Sequence, residues 1–280
     1  MGEEMDFVEK LSVASARNQS LVCVGLDPDP TLMPPGVTLA DFNREIVAAT
    51  SDLVCAYKPN LAFYEALGDE GMQGLKKTLE VIPSYIPVIA DAKRGDIGNT
   101  SKAYARALFE ILGFDAATVN PYLGSDAVEP FVQFKEKGIL ILCRTSNRGA
   151  RDFQSLLCQT PEGPKALYQL VAEKASEWNI YGNVGLVVGA TYPEELKILR
   201  AAHPDMPFLI PGIGAQGGDL ALTVQHGLSP AGGKAVINSS RQVLYASRGP
   251  DFAQAARTAA RILRDEINRC RGGGLLPSHD

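Results

Sequence analysis

A strand-like apolar segment, Pro87-Val88-Ile89-Ala90, runs straight into Asp91, Ala92, Lys93, Arg94, Gly95 and Asp96. Two carboxylates therefore bracket one lysine at the end of a segment whose composition demands burial. Asp91 and Lys93 are two residues apart, so an extended backbone turns both toward one face. Charges at a buried strand end are costly to desolvate unless they are paired. Asp91 and Asp96 can both pair with Lys93, and flanking carboxylates favour the ammonium form of a lysine. Such a lysine suits proton delivery. It does not suit attack as a free amine.

Three further groups of residues carry chemistry. Asp27 and Lys58 close the first two apolar runs of the chain, as Asp91 and Lys93 close the third. Singly, Asp27 is explained by the turn at Asp27-Pro28 and Lys58 by a place on a rim. Together the four set charges of alternating sign at adjacent strand ends, which is the pattern of a functional site. Next, Pro211-Gly212-Ile213-Gly214-Ala215-Gln216-Gly217-Gly218 holds a GxGxxG match. It follows a late strand, and no acidic residue ends the next one, so a dinucleotide site is not indicated. Its glycines still let backbone N–H groups approach an anion at a helix start. Ser240 and Arg241 end the following strand, and the guanidinium suits a phosphate. Last, Thr145-Ser146-Asn147 offers hydroxyl and amide groups, with Ser146 able to hydrogen-bond a planar polar ring. Asn120-Pro121-Tyr122 reads as a structural turn.

The elements that must position these residues are legible as eight continuous apolar runs, at 21–26, 53–57, 87–90, 117–119, 139–143, 184–188, 208–210 and 235–237. Continuous rather than alternating apolarity marks strands covered on both faces. Helical patterns separate them, at 39–50, 75–81, 100–112, 127–137, 165–178, 193–202 and 219–226, with a last one at 251–270. Strand–helix alternation predicts a parallel sheet, and eight units predict closure into an α/β (β/α)8 TIM barrel, with a doubly wound open sheet as the structural rival. The polar strand ends would then share the face where barrel enzymes keep their chemistry. Residues 1–271 read as one barrel domain, 149–164 as a lid-like loop, and 272–280 as a disordered tail.

Composition narrows the function. With a formal net charge of -5 and no basic run, the chain is not a nucleic-acid binder. No apolar stretch approaches the roughly 20 residues that span a bilayer, and the acidic start lacks signal-peptide chemistry. The five cysteines contain no CxxC pair, which fits a reducing cytoplasm, and Cys23, Cys55 and Cys143 fall in core runs. His203, His226 and His279 all lie away from strand ends, so histidine acid–base chemistry and histidine metal sites are not expected. A Mg²⁺ on Asp91 and Asp96 would be repelled by Lys93. No metal site is expected.

The run DAKRGDIGNTS, with GLDPD and YKPN before it and TSN, VVGAT, PGIGAQGGD and SR after it, resembles the orotidine 5′-phosphate decarboxylase family. It looks like the longer-chain bacterial subgroup, type 2, and the resemblance covers residues 21–268. The resemblance implies a homodimeric barrel that needs no cofactor and converts orotidine monophosphate to UMP and CO₂. It implies that Asp27 and Lys58 bind ribose, and that Asp91 and Lys93, with Lys58, act at the reacting carbon. Asp96, Ile97 and Thr100 would reach into the partner's site, so that Asp96 is shared across the interface. Ser146 would contact the pyrimidine, and Gln216, Gly217, Ser240 and Arg241 the phosphate region. The chemistry is compatible, because loss of CO₂ leaves an in-plane carbanion that an ammonium can stabilise and then protonate. Two other readings of the same residues are a phosphosugar aldolase or epimerase and a non-catalytic barrel that binds a phosphorylated ligand.

Overall fold

The computed structural model describes residues 5–213 and 218–272. The eight apolar runs form eight parallel strands: β1 (Val22–Leu26), β2 (Ala56–Pro59), β3 (Ile89–Arg94), β4 (Ala116–Val119), β5 (Gly138–Arg144), then, beyond a hairpin of β6 (Leu157–Thr160) and β7 (Gly163–Ala166), β8 (Val184–Val188), β9 (Phe208–Ile210) and β10 (Ala235–Ser239). The sheet order is β2-β1-β10-β9-β8-β5-β4-β3. Bridges Tyr57–Val88 and Asn60–Asp91 join its two ends, so the sheet closes and the open-sheet rival is excluded. β1, β2, β4, β8, β9 and β10 are buried along their whole length, as strands with helices outside and side chains inside must be.

Among the described residues eleven α-helices accompany the strands: α1 (Phe7–Asn18), α2 (Leu39–Thr50), α3 (Leu61–Glu65), α4 (Gly68–Val81), α5 (Gly98–Arg106), α6 (Ser125–Val132), α7 (Leu167–Trp178), α8 (Pro193–Ala202), α9 (Leu220–Gly227), α10 (Arg241–Leu244) and α11 (Phe252–Cys270). The larger of two cores lies between strands and helices. The smaller fills the barrel, where Cys23, Ile89, Leu140, Leu209 and Val236 meet Phe7 and Leu11 of α1. α1 plugs the end of the barrel away from the polar strand ends. It opens with a capping box, in which the Asp6 carboxylate accepts the Glu9 N–H at 2.9 Å and the Glu9 carboxylate accepts the Asp6 N–H at 3.2 Å. At Gly138 an added Cβ would lie 2.2 Å from the Phe7 ring, so glycine there is what admits the plug.

Several predicted boundaries move. β2 begins at Ala56 rather than 53, and β3 starts at Ile89 and runs to Arg94, four residues past the predicted end at 90, so Asp91 and Lys93 lie within the strand rather than just after it. The helix predicted at 100–112 is α5 from Gly98, followed by a π-helical turn at Ala107–Ile111. The helix predicted at 127–137 is α6, which ends at Val132, and α4 starts seven residues before the predicted 75. The predicted lid at 149–164 contains a 3₁₀ turn, Arg148–Asp152, and the antiparallel β6–β7 hairpin, which takes Lys165 out of the helix predicted to start there. Most of the tail predicted at 272–280 lies outside the described residues. Cys23, Cys55 and Cys143 are buried free thiols, as their apolar surroundings require.

Candidate active site

The polar strand ends surround one cavity of about 780 Å³, lined among others by Asp27, Lys58, Asp91, Lys93, Ser146, Ser240 and Arg241. Seven residues singled out from strand ends thus share a single space at one mouth of the barrel. Gln216 and Gly217 lie outside the described residues.

Asp91 is the centre of the charge network. Its Oδ2 accepts from Lys58 Nζ at 2.9 Å, and its Oδ1 accepts from Lys93 Nζ at 2.5 Å and from the Thr118 hydroxyl at 3.1 Å. The sequence suggested two carboxylates about one lysine. The folded chain has two lysines about one carboxylate. Asp96 does not pair with Lys93 within the chain: its Oδ1 accepts the Ile97 N–H at 2.8 Å. Asp96, Ile97 and Thr100 do not line the cavity, and Ile97 is 57% exposed. They sit where the chain leaves β3 and enters α5, and a glycine with positive φ, Gly98, turns it there.

The two lysines on Asp91 differ sharply in solvent access. The Lys58 side chain is 5% exposed and the Lys93 side chain 50%. Burial alone would push Lys58 down, but Asp91 and Asp27 outweigh it and hold the ammonium above its ordinary value. Burial alone would push Asp91 up, but Lys58 and Lys93 outweigh it and hold the carboxyl well below the usual carboxylate range. Lys58 is thus a buried strut for Asp91, while Lys93 presents its ammonium to the cavity.

Asp91 and Lys93 do not share a face through a flat strand. The register of β3 on β4 passes from Ala90–Ala117 to Arg94–Val119, so three residues of β3 stand opposite Thr118. Within this bulge Lys93 has φ +48°, in the left-handed region that L side chains rarely occupy. The two charged groups meet because the chain coils over itself there.

The remaining lining residues are held by close packing. Asp27 Oδ1 accepts the Asn60 N–H at 3.2 Å, which ties the ends of β1 and β2. The Tyr245 hydroxyl donates to the Asp27 carbonyl at 3.0 Å and accepts the Asp29 N–H at 2.6 Å, which fixes the turn after β1. A Cβ on Gly25 would lie 1.9 Å from the Ser240 hydroxyl, and a Cβ on Gly189 would lie 2.8 Å from the Ser146 backbone nitrogen. Glycine in GLDPD and in VVGAT therefore makes room for the serines of the neighbouring strand ends. Arg241 opens α10 with an exposed side chain. Asn120 does serve a turn, its Oδ1 accepting the Tyr122 N–H at 3.0 Å.

Three residues lining the cavity were not apparent from sequence, Thr118, Gln154 and Tyr245, nor was Arg144, which does not line it but donates to Gln154 at 3.3 Å. Arg144 is fully buried, ion-paired with Glu195 and stacked over Tyr192 at 3.8 Å. Gln154 anchors the segment after β5, accepting the Thr145 N–H and donating to the Thr145 hydroxyl, both at 2.9 Å. The available signal was a hydroxyl within an apolar strand for Thr118 and an arginine closing one for Arg144. Among the described residues no group of three or more histidine, cysteine, aspartate or glutamate side chains could hold a metal ion.

Known proteins share this sequence and fold. The sequence model of the orotidine 5′-phosphate decarboxylase / HUMPS family matches residues 20–259. A Dehalococcoides mccartyi protein named orotidine 5′-phosphate decarboxylase is 58% identical, over 95% of this chain and 99% of its own. A Thermomicrobium roseum protein of the same name is 52% identical, over 95% and 96%. The solved structure of Leishmania donovani OMP decarboxylase superposes with a TM-score of 0.83 at 39% identity, covering 96% of this chain and all of that one.

Proposed function

This chain belongs to the orotidine 5′-phosphate decarboxylase / HUMPS family, and we propose that its reaction is the decarboxylation of orotidine monophosphate to UMP and CO₂ in pyrimidine synthesis. The observation that carries the reading is the geometry around Asp91: a buried carboxylate pinned by one buried lysine, with a second, half-exposed lysine held 2.5 Å away inside the cavity.

In the proposed reaction the pyrimidine carboxylate lies against Asp91, which Lys58 and Lys93 keep ionised. The two like charges oppose each other until CO₂ leaves as a neutral molecule. The C–C bond breaks, and its electron pair stays on the ring carbon, in the ring plane and outside the π system. Lys93 stabilises that charge as a preorganised cation and then passes one proton from Nζ to the carbon. Its half-exposed position lets solvent restore the proton. Asp27 and Lys58 hold the ribose, Ser146 the pyrimidine, and Ser240 and Arg241, with Gln216 and Gly217, the phosphate. Binding energy from the phosphate, remote from the reacting carbon, aligns the ring.

The same reading makes the chain a cytoplasmic homodimer with residues 1–271 as its catalytic domain. A second copy would cover Ile97, Thr100 and Asp96 and bring its own Asp96 to Lys93. A two-fold axis would repeat the exchange at both sites. The exposure of Ile97, with Tyr122 79% and Leu123 49% exposed on the neighbouring turn, supports this assignment.

An aldolase that works through a Schiff base needs a lysine with a lowered pKa. Lys58 is raised, and Lys93 is committed to an ion pair. The test is the loss of orotate-ring absorbance when purified protein meets orotidine monophosphate. No loss with orotidine monophosphate, together with borohydride trapping by a sugar phosphate, would replace this reading with the aldolase one. Tight UMP binding without turnover would indicate a binding protein.

A further inference from the structure

Lys93 occupies a backbone conformation that its own side chain disfavours, and the strand ladder does not hold it there. Between the Ala90–Ala117 and Arg94–Val119 pairs, β3 carries three residues against the single Thr118 of β4. The Lys93 N–H faces no strand carbonyl. It donates instead to the Thr118 hydroxyl at 2.9 Å. That hydroxyl has one proton, and the proton goes to Asp91 Oδ1 at 3.1 Å. The polarity is dictated by chemistry, since an amide N–H only donates and an ionised carboxylate only accepts. Thr118 is 1% exposed, so its hydroxyl is committed to these two bonds rather than to solvent. The far side of the bulge is pinned separately, by the Asn120 N–H on the Arg94 carbonyl at 2.7 Å and by Gly95, where a Cβ would lie 2.7 Å from the Asn120 carbonyl oxygen.

We infer that Thr118 is a positioning residue, whose single hydroxyl fixes the Lys93 backbone in its left-handed conformation and the Asp91 carboxylate beside it, and so sets where the Lys93 ammonium stands in the cavity. The inference rests on the decarboxylase reading above and deepens it. Thr118 touches neither ring nor phosphate in this role. It acts through the two residues that do the chemistry.

The test compares Thr118→Val, which keeps the shape and removes the hydroxyl, with Thr118→Ser, which keeps the hydroxyl and removes the methyl. A displacement of about 1 Å at a reacting group costs on the order of 10²-fold, so T118V is expected to lower kcat by about that factor. KM and the dissociation constant for UMP should stay within about threefold, because ribose and phosphate contacts are intact. T118S should recover kcat to within about threefold of wild type, since both hydrogen bonds survive. The Lys93 amide proton should exchange with solvent faster in T118V than in wild type or T118S. A T118V enzyme with wild-type kcat, a T118S enzyme as damaged as T118V, or unchanged Lys93 amide exchange would each overturn the inference. Thr118→Ala, which also lacks the hydroxyl, carries the same expectations where T118V does not fold. Failure of the wild-type protein itself to consume orotidine monophosphate would count against the decarboxylase reading instead. The amide-exchange comparison stands apart from turnover and still decides whether Thr118 holds the Lys93 backbone.

Discussion

Lys58 and Lys93 grip opposite oxygens of one carboxylate, at 2.9 Å and 2.5 Å, yet their removal should have opposite consequences. In the proposed mechanism Lys93→Ala deletes the proton donor and the cation aimed into the cavity. The lost general acid accounts for about 10²–10⁴-fold in kcat, and the lost preorganised charge for about 10²–10³-fold. The combined loss is expected to reach about 10⁴-fold or more, equivalent to roughly 5.4 kcal/mol of barrel-mouth stabilisation of the transition state. Stability should hardly change, because Asp91 keeps Lys58 and Thr118, and a half-exposed ion pair is worth about 0–1 kcal/mol. Lys58→Ala removes the partner that is 5% exposed and strands a carboxylate that is itself 11% exposed. Breaking a buried pair costs about 3–5 kcal/mol. Lys93 and Thr118 still reach Asp91, so the low end of that range is expected. The assays are orotate-ring absorbance for kcat, urea unfolding for stability and calorimetric UMP titration to confirm that the site is intact. A K93A protein within tenfold of wild-type kcat would remove the acid role of Lys93. A K58A protein as stable as wild type would show that Asp91 does not depend on its buried partner.

Arg241→Ala should lose most of kcat/KM on the nucleotide and little on the corresponding nucleoside, and equal losses on both substrates would make the residue structural rather than phosphate-binding. Mixing K93A with Asp96→Ala under subunit exchange should raise activity well above either parent, since in the proposed dimer each heterodimer would regain one intact site; parental activity after exchange verified by mass spectrometry would place Asp96 in the service of its own chain. Asp91 is held below the usual carboxylate range, so its stabilising contribution is complete above its unfolded pKa of about 3.9 and is lost as pH falls through the lower folded value. Melting temperature should therefore fall more steeply in wild type than in Asp91→Asn as pH drops below about 4, and parallel curves would show that Asp91 is not depressed on folding.

The order of strands and helices was legible because apolar runs and their helical separators are local statements about burial. Each of the eight predicted strands overlaps one barrel strand, the second and third by only two residues, and closure follows from their number and parallel pairing. The polar residues ending those runs were legible as a site for the same reason: in a barrel, strand ends converge whatever lies between them. Asp27, Lys58, Asp91, Lys93, Ser146, Ser240 and Arg241 accordingly line one cavity. The pairing within that site was not legible. Spacing along a strand placed Asp91 and Lys93 together on the assumption of a flat strand, whereas the contact arises from a bulge whose extra residues exist only relative to β4. Lys58 reaches Asp91 across 33 positions of sequence, and Arg144 reaches Glu195 across 51. No local pattern distinguishes such a partner from a solvated charge. Composition and periodicity determine which segments are buried and where charge must gather. Which charge meets which, and which backbone is bent to allow it, is decided by the register of neighbouring strands, a property of two segments at once that neither carries alone.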